Sequence, residues 1–168
     1  MARSKGQRRL NTIFDAIPPV REQLLVAMEE IDPAFGLDTL LACARSADPH
    51  ERNKVAAVER GFEVLVNWMS ELAARMLAEG QRLGVVEKTA GHPWERLAVL
   101  GVISESSATR LREAKDLRDE LAHFYPPAGW KALHEGVQTV LTELDRYMDR
   151  CRAWLVREGI LEEAQAQP

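Results

Sequence analysis

The sequence predicts an all-α protein, an antiparallel bundle of four main helices with additional short helices. Two long segments, from Val55 to Met76 and from Leu133 to Trp154, repeat apolar residues at alternating spacings of three and four. No stretch of four or more residues alternates apolar and polar positions, as a half-buried strand would. Each apolar seam needs a partner helix, so the two seams together favour a bundle. The first seam is Val55, Val58, Phe62, Leu65, Met69, Leu72 and Met76, and the second is Leu133, Val137, Val140, Leu144, Tyr147, Cys151 and Trp154.

Composition indicates one globular domain. The chain has 168 residues, of which 46% are apolar and 29% charged. A net charge of −4 and a pI near 5.6 argue against a globally basic nucleic-acid binder, although a local basic cleft stays open. Cys43 and Cys151 lie far apart without metal-ligand spacing, which predicts neither a disulfide framework nor a metal site. We expect a cytoplasmic protein without a membrane span or a bound cofactor.

The first fifty residues are predicted to form an arm and two helices. Residues 1–18 carry Arg3, Lys5, Arg8 and Arg9 and are predicted to form a partly ordered basic arm, either solvated or touching a phosphate backbone. Pro18-Pro19 should break any helix, so a main helix is expected over about 19–30, followed by a short helix from Leu37 to Ala44. The single helical domain is placed at 19–160, and residues 161–168 are predicted to be a frayed tail.

Asp48-Pro49-His50-Glu51 predicts the start of a long helix. Aspartate suits the N-cap, proline the first helical position, and Glu51 would complete a capping box. The helix should run over about 51–79 and end at Gly80 and Gly84. Gly61 inside it indicates the close approach of another backbone.

The remaining helices follow from caps and prolines. Gly91-His92-Pro93 predicts a short helix through about Val99, and Ser104 is the expected N-cap of the next helix. That helix should end before Pro126-Pro127, and the second apolar seam forms the closing helix.

The stretch from Leu117 to Pro127 concentrates chemically useful side chains at a helix end. On an ideal helix Asp119 and His123 lie about 40° apart on a face that points away from the apolar stripe, with Arg118 at the edge of that stripe. A histidine on the outer face of a core helix is either an idle surface residue or part of a site completed by a second chain. The residues alone weight these two interpretations equally.

These residue types suit phosphodiester cleavage without a metal. A histidine can take the proton of a ribose 2′-hydroxyl or protonate the leaving oxygen, while an arginine stabilises the phosphate charge. Asp119 can orient either residue, and a two-fold dimer would supply a second histidine. The alternative is a helix cap with surface ion pairs. Structural explanations are available for the other three histidines, His50, His92 and His134.

Arg118, His123 and Tyr125 form the pattern Arg-x4-His-x-Tyr, which resembles the motif of HepT-type proteins in the HEPN superfamily. The resemblance extends from about Val55 to Trp154 and includes the long helix, the Leu100 to Ser104 segment and the closing helix. The first fifty residues match only as a generic leading helix.

The resemblance implies a toxin of a toxin-antitoxin pair that acts as a metal-independent ribonuclease, with the active cleft between two subunits. Arg118 and His123 would be catalytic, with Asp119 beside them. A nucleotidyltransferase antitoxin of the MntA type would add AMP, taken from ATP, to Tyr125. The alternative is a catalytically inactive HEPN module that binds a nucleotidyltransferase. Asp119 departs from the usual asparagine, and its carboxylate would repel an RNA phosphate and raise the pKa of His123.

Overall fold

A computed structural model describes residues 5–123 and 129–162, except for the side chain of His123. These residues form six α-helices and no strand, which confirms the all-α class. The antiparallel four-helix arrangement and the dimer stay predictions. The helices are α1 (Lys5–Ile31), α2 (Leu37–Arg45), α3 (Pro49–Arg82), α4 (Pro93–Val99), α5 (Glu105–His123) and α6 (Gly129–Arg157).

Helix α1 differs from the prediction because it continues through Pro18-Pro19. A proline in a helix interior costs about 3 kcal/mol, so Pro18 and Pro19 together cost about 6 kcal/mol. Four apolar side chains before the prolines are almost completely buried, and each contributes about 1.5–3 kcal/mol, so their burial outweighs that cost. The predicted break is therefore wrong, and residues 5–18 form the first half of a core helix packed on α3 rather than an arm. The four side chains are Leu10, Ile13, Phe14 and Ile17.

Helix α3 starts where the sequence predicts. Oδ1 of Asp48 accepts a hydrogen bond from the His50 N–H at 2.9 Å, and proline occupies the first turn. The capping box is not formed, because Glu51 accepts instead from Nζ of Lys54 at 2.7 Å. The Asp48 N–H donates to Oγ of Ser46 at 3.1 Å, so this donor is satisfied without Glu51.

Two glycines lie inside α3, Gly61 and Gly80, and a third, Gly84, follows its end. The helix ends at Arg82, and Gly84 follows with a φ of +75°, as the stop signal predicts. The prediction that Gly80 also ends the helix is wrong, because Gly80 keeps a helical conformation inside α3. At Gly61 an added Cβ would lie 3.3 Å from the Cα of Leu24, which confirms the close approach of another backbone, that of α1.

Helix α5 is oriented by its cap and by its buried face. Oγ of Ser104 accepts from the Ser107 N–H at 3.1 Å, which confirms the predicted cap. The helix packs against α3, α4 and α6, and its other face is left for the charged residues of the candidate site. Its buried apolar side chains are Ala108, Leu111, Ala114 and Leu121.

Packing continues past the last helix. The N–H groups of Ile160 and Leu161 both donate to the carbonyl of Leu155, and the two side chains are buried. The core therefore includes Leu161, the first residue of the segment 161–168 that is predicted to be a frayed tail. Residues 163–168 lie outside the described part of the chain. Across the described residues, no helix has the length and apolar character needed to cross a membrane.

Candidate active site at the end of helix α5

Helix α5 carries three of the four predicted site residues. It runs without interruption through Arg118 and Asp119 and ends at His123. Positions 119 and 123 therefore lie on one face, separated by a rise of about 6 Å along the axis. The side chain of His123 and the whole of Tyr125 fall outside the described residues, so their roles in proton transfer and AMP acceptance stay predictions.

Arg118 lies at the edge of the apolar face of α5, as predicted, and its side chain is 26% exposed. Nη1 donates to Oδ1 of Asp119 at 2.7 Å, and Nη2 donates to Oε1 of Glu63 at 3.3 Å. Nε is buried and has no hydrogen-bond partner among the described residues. Two carboxylates on two different helices thus fix the direction of the guanidinium.

Glu63, on α3, is the site residue that sequence reasoning missed. Its second oxygen, Oε2, accepts from Nη1 of Arg60 at 2.8 Å, while Oε1 accepts from Arg118. In sequence, Glu63 lies between the apolar residues Phe62 and Val64 and follows Arg60 by three positions, a pattern common on any helix surface. Only the packing of α3 against α5 shows that it meets Arg118.

Asp119 is held in its ionised form. Its Oδ2 accepts from Nζ of Lys115 at 2.6 Å, one turn earlier on α5. This hydrogen bond lowers the pKa of the Asp119 carboxyl, partial burial opposes the shift, and the bond from Arg118 adds to the lowering. At neutral pH the carboxylate is charged and contacts the arginine directly.

The five charged groups form one chain of contacts across α3 and α5, which we call the Arg118 network. Their signs alternate, with cations at both ends, so the network keeps one net positive charge. A cavity of about 30 Å³ beside Arg118 is too small for a nucleotide, so RNA would have to meet the arginine from its exposed side. The network runs Lys115, Asp119, Arg118, Glu63, Arg60.

Two of the other histidines, His92 and His134, have structural roles. Nδ1 of His92 accepts from the Trp94 N–H and caps α4. The His134 ring stacks on Phe35 at 5.1 Å between centroids, and its Nε2 lies 2.8 Å from the Phe35 carbonyl oxygen, which accepts the bond. Two grooves of about 460 and 430 Å³ flank α4, and neither is lined by Arg118 or Asp119.

Three comparisons with known proteins bear on this site. The family model described as "HepT-like: Ribonuclease HepT-like" matches residues 40–151, about two thirds of the chain. Neither the search of curated proteins nor the search of solved structures found a match. The matched region contains all of α3 and α5, the Arg118 network and the Arg-x4-His-x-Tyr motif. The chain therefore belongs to the HepT-like ribonuclease family.

Proposed function

We propose that the protein is a metal-independent endoribonuclease whose active cleft lies between two copies of the chain. The proposal is carried by one observation: within the family match, α5 presents Arg118, fixed by two carboxylates, about 7.5 Å along the helix axis from position 123. An arginine fixed in this way can stabilise charge that develops on a phosphate during the reaction.

The chemistry assigns one task to each side chain. The ribose 2′-oxygen attacks phosphorus and the bond to the 5′-oxygen breaks, which leaves a 2′,3′-cyclic phosphate and a 5′-hydroxyl end. His123 of one copy accepts the 2′-hydroxyl proton, and His123 of the other copy protonates the 5′-oxygen. Arg118 binds the phosphate, and Asp119 orients Arg118. The dimer is needed because one imidazole cannot accept and donate a proton in the same step.

Inhibition is proposed to come from a partner of the MntA type, a nucleotidyltransferase antitoxin in the cytoplasm. The partner would use ATP to attach AMP to Tyr125, two residues after His123. The added phosphate would bring a negative charge and a bulky nucleoside beside the cleft, and both would exclude an RNA phosphate. The ribonuclease would then be the toxin of a toxin-antitoxin pair.

Cleavage of single-stranded RNA by the purified chain, produced without the partner, tests the activity. With EDTA present, we expect the wild-type protein to cut RNA and the His123→Ala variant to be at least about 100-fold slower. A substrate with 2′-deoxyribose at the cleavage position should stay intact. His50→Ala, at an exposed helix start, is the matched control and should keep full activity. Equal rates for wild type and His123→Ala, or cleavage of the deoxy substrate, would contradict the proposal.

A non-catalytic binding module is the second candidate. It is favoured by the two carboxylates that contact Arg118, because the negative charges of Glu63 and Asp119 weaken the attraction between this arginine and an RNA phosphate. In that case wild-type protein would leave RNA intact, and it would bind the nucleotidyltransferase equally well after His123→Ala or Arg118→Ala. Titration of the purified pair by calorimetry measures this.

A further inference from the structure

The contact between Arg118 and Glu63 joins two helices that are far apart in the sequence. Glu63 lies on α3 and Arg118 near the end of α5, 55 residues later. The side chain of Arg118 is 26% exposed and that of Glu63 is 30% exposed, so both are mostly covered. We propose that Glu63 is a positioning residue that fixes the guanidinium of Arg118 before RNA binds. This role rests on the proposed ribonuclease function.

Asp119 alone cannot provide this constraint. It is adjacent to Arg118 on the same helix, so their contact leaves the guanidinium free to move with α5. The bond from Arg118 to Glu63 ties the same group to α3, a separate element of the core. Immobilising an arginine side chain costs about 2 kcal/mol of rotamer entropy. Because the folded protein already immobilises the Arg118 side chain, RNA binding does not carry this entropy cost.

The arginine keeps donors for a phosphate while it is held. A guanidinium has five N–H groups. One on Nη1 goes to Asp119, one on Nη2 goes to Glu63, and the Nε group is buried. One N–H remains on each Nη nitrogen, enough for two contacts to phosphate oxygens.

Glu63 reduces the positive charge near Arg118 less than an isolated carboxylate would. Its other oxygen accepts from Arg60 at 2.8 Å, and the Arg60 side chain is 71% exposed. Arg60 therefore balances the carboxylate from the solvent side. The positive charge of Arg118 stays available to a phosphate even though Glu63 touches it.

Kinetics of RNA cleavage by three variants tests the role. Glu63→Ala should lower kcat/KM about tenfold, because a misdirected group loses transition-state contacts. Glu63→Gln keeps a carbonyl acceptor for Nη2 and should stay within about threefold of wild type. The matched control is Glu71→Ala, also on α3, which removes a half-buried glutamate that bridges to Arg9 of α1 at 3.6 Å and to Arg75 at 3.3 Å. Its rate should equal that of wild type.

A double-variant comparison separates positioning from a general loss of stability. In an Arg118→Ala background, adding Glu63→Ala should cause no further loss, because the residue to be positioned is absent. Additive losses, or a Glu63→Ala enzyme as fast as the Glu71→Ala control, would overturn the proposal. So would Glu63→Gln being as slow as Glu63→Ala.

A second measurement does not depend on catalysis, and therefore distinguishes failure of this inference from failure of the ribonuclease function. A dicarbonyl reagent that modifies accessible guanidinium groups is applied to the folded protein, and mass spectrometry of the Arg118 peptide gives the modification rate. We expect Arg118 to react several-fold faster in Glu63→Ala than in wild type or Glu71→Ala. An unchanged rate overturns the positioning role even if RNA is never cut.

Discussion

Three arginines on α5 each reach a glutamate on a neighbouring helix, and two of these pairs, those of Arg110 and Arg118, differ in which partner is buried. Arg110 bonds to Glu143 of α6 at 2.7 Å, where the carboxylate is only 8% exposed and the arginine is 45% exposed. Arg118 bonds to Glu63 of α3 at 3.3 Å, and both partners are about equally covered. Arg118 also has a second carboxylate, from Asp119, whereas among the described residues Arg110 bonds to the carboxylate of Glu143 alone.

The comparison separates stability from function along one helix. A nearly buried carboxylate needs its cation, since an unpaired buried charge is costly. Glu143 therefore depends on Arg110 for the packing of α5 on α6. Partly exposed ion pairs contribute little to stability, so the Arg118 network is not explained by the folding energy that it supplies. It is better explained by the direction that it gives to one guanidinium.

The largest expected effect is on activity at the second pair. Arg118→Ala should reduce RNA cleavage by about 100- to 1000-fold, because a donor aimed at developing phosphate charge contributes about 3–4 kcal/mol to the transition state. The free energy of unfolding in urea should change by no more than about 1 kcal/mol. Arg118→Lys should restore little, because one ammonium cannot reproduce the planar fork. If activity falls only in proportion to the amount of folded protein, the Arg118 pair serves stability, as the Arg110 pair does.

The next effect, at the first pair, is on stability. Arg110→Ala should lower the free energy of unfolding by about 2 kcal/mol, because it leaves the carboxylate of Glu143 buried without its partner. Cleavage per folded molecule should stay at the wild-type value. A double replacement, Arg110→Met with Glu143→Leu, removes both charges and should recover most of the stability. A fully stable Arg110→Ala protein would show that Glu143 does not need this arginine.

Local rules predicted five of the six helices, and α1 shows where such rules fail. Helix caps and apolar spacing are properties of neighbouring residues, so the start of α3 at Asp48 and the cap of α5 at Ser104 could be identified from the sequence. The cost of Pro18-Pro19 is also local, but the burial that offsets it comes from α3, far away in the chain. The cost of the two prolines can therefore be read from the sequence, whereas the burial that offsets it is visible only in the folded structure.

The candidate site divides in the same way. Arg118 and Asp119 could be found because they lie in one helical stretch with a spacing that carries chemistry. Glu63 could not be found, because its relevance depends on which face of α3 meets α5. The holding of Asp119 by Lys115 was within reach, since residues four apart on a helix contact each other. That pairing changes the expectation for the carboxylate from a simple repulsive charge to one partly balanced by a cation.

The smallest expected effect concerns the pH dependence of that balance. The folded-state pKa of Asp119 lies below its ordinary value of about 3.9, chiefly because Lys115 bonds to the charged form. The stabilisation is therefore present above the ordinary pKa and is lost as pH falls through the lowered folded value. Asp119→Asn should cost about 0.5 kcal/mol in urea unfolding at pH 7 and nothing at low pH. In a Lys115→Ala background the pH 7 cost should shrink, and an undiminished cost would assign the effect to Arg118 instead.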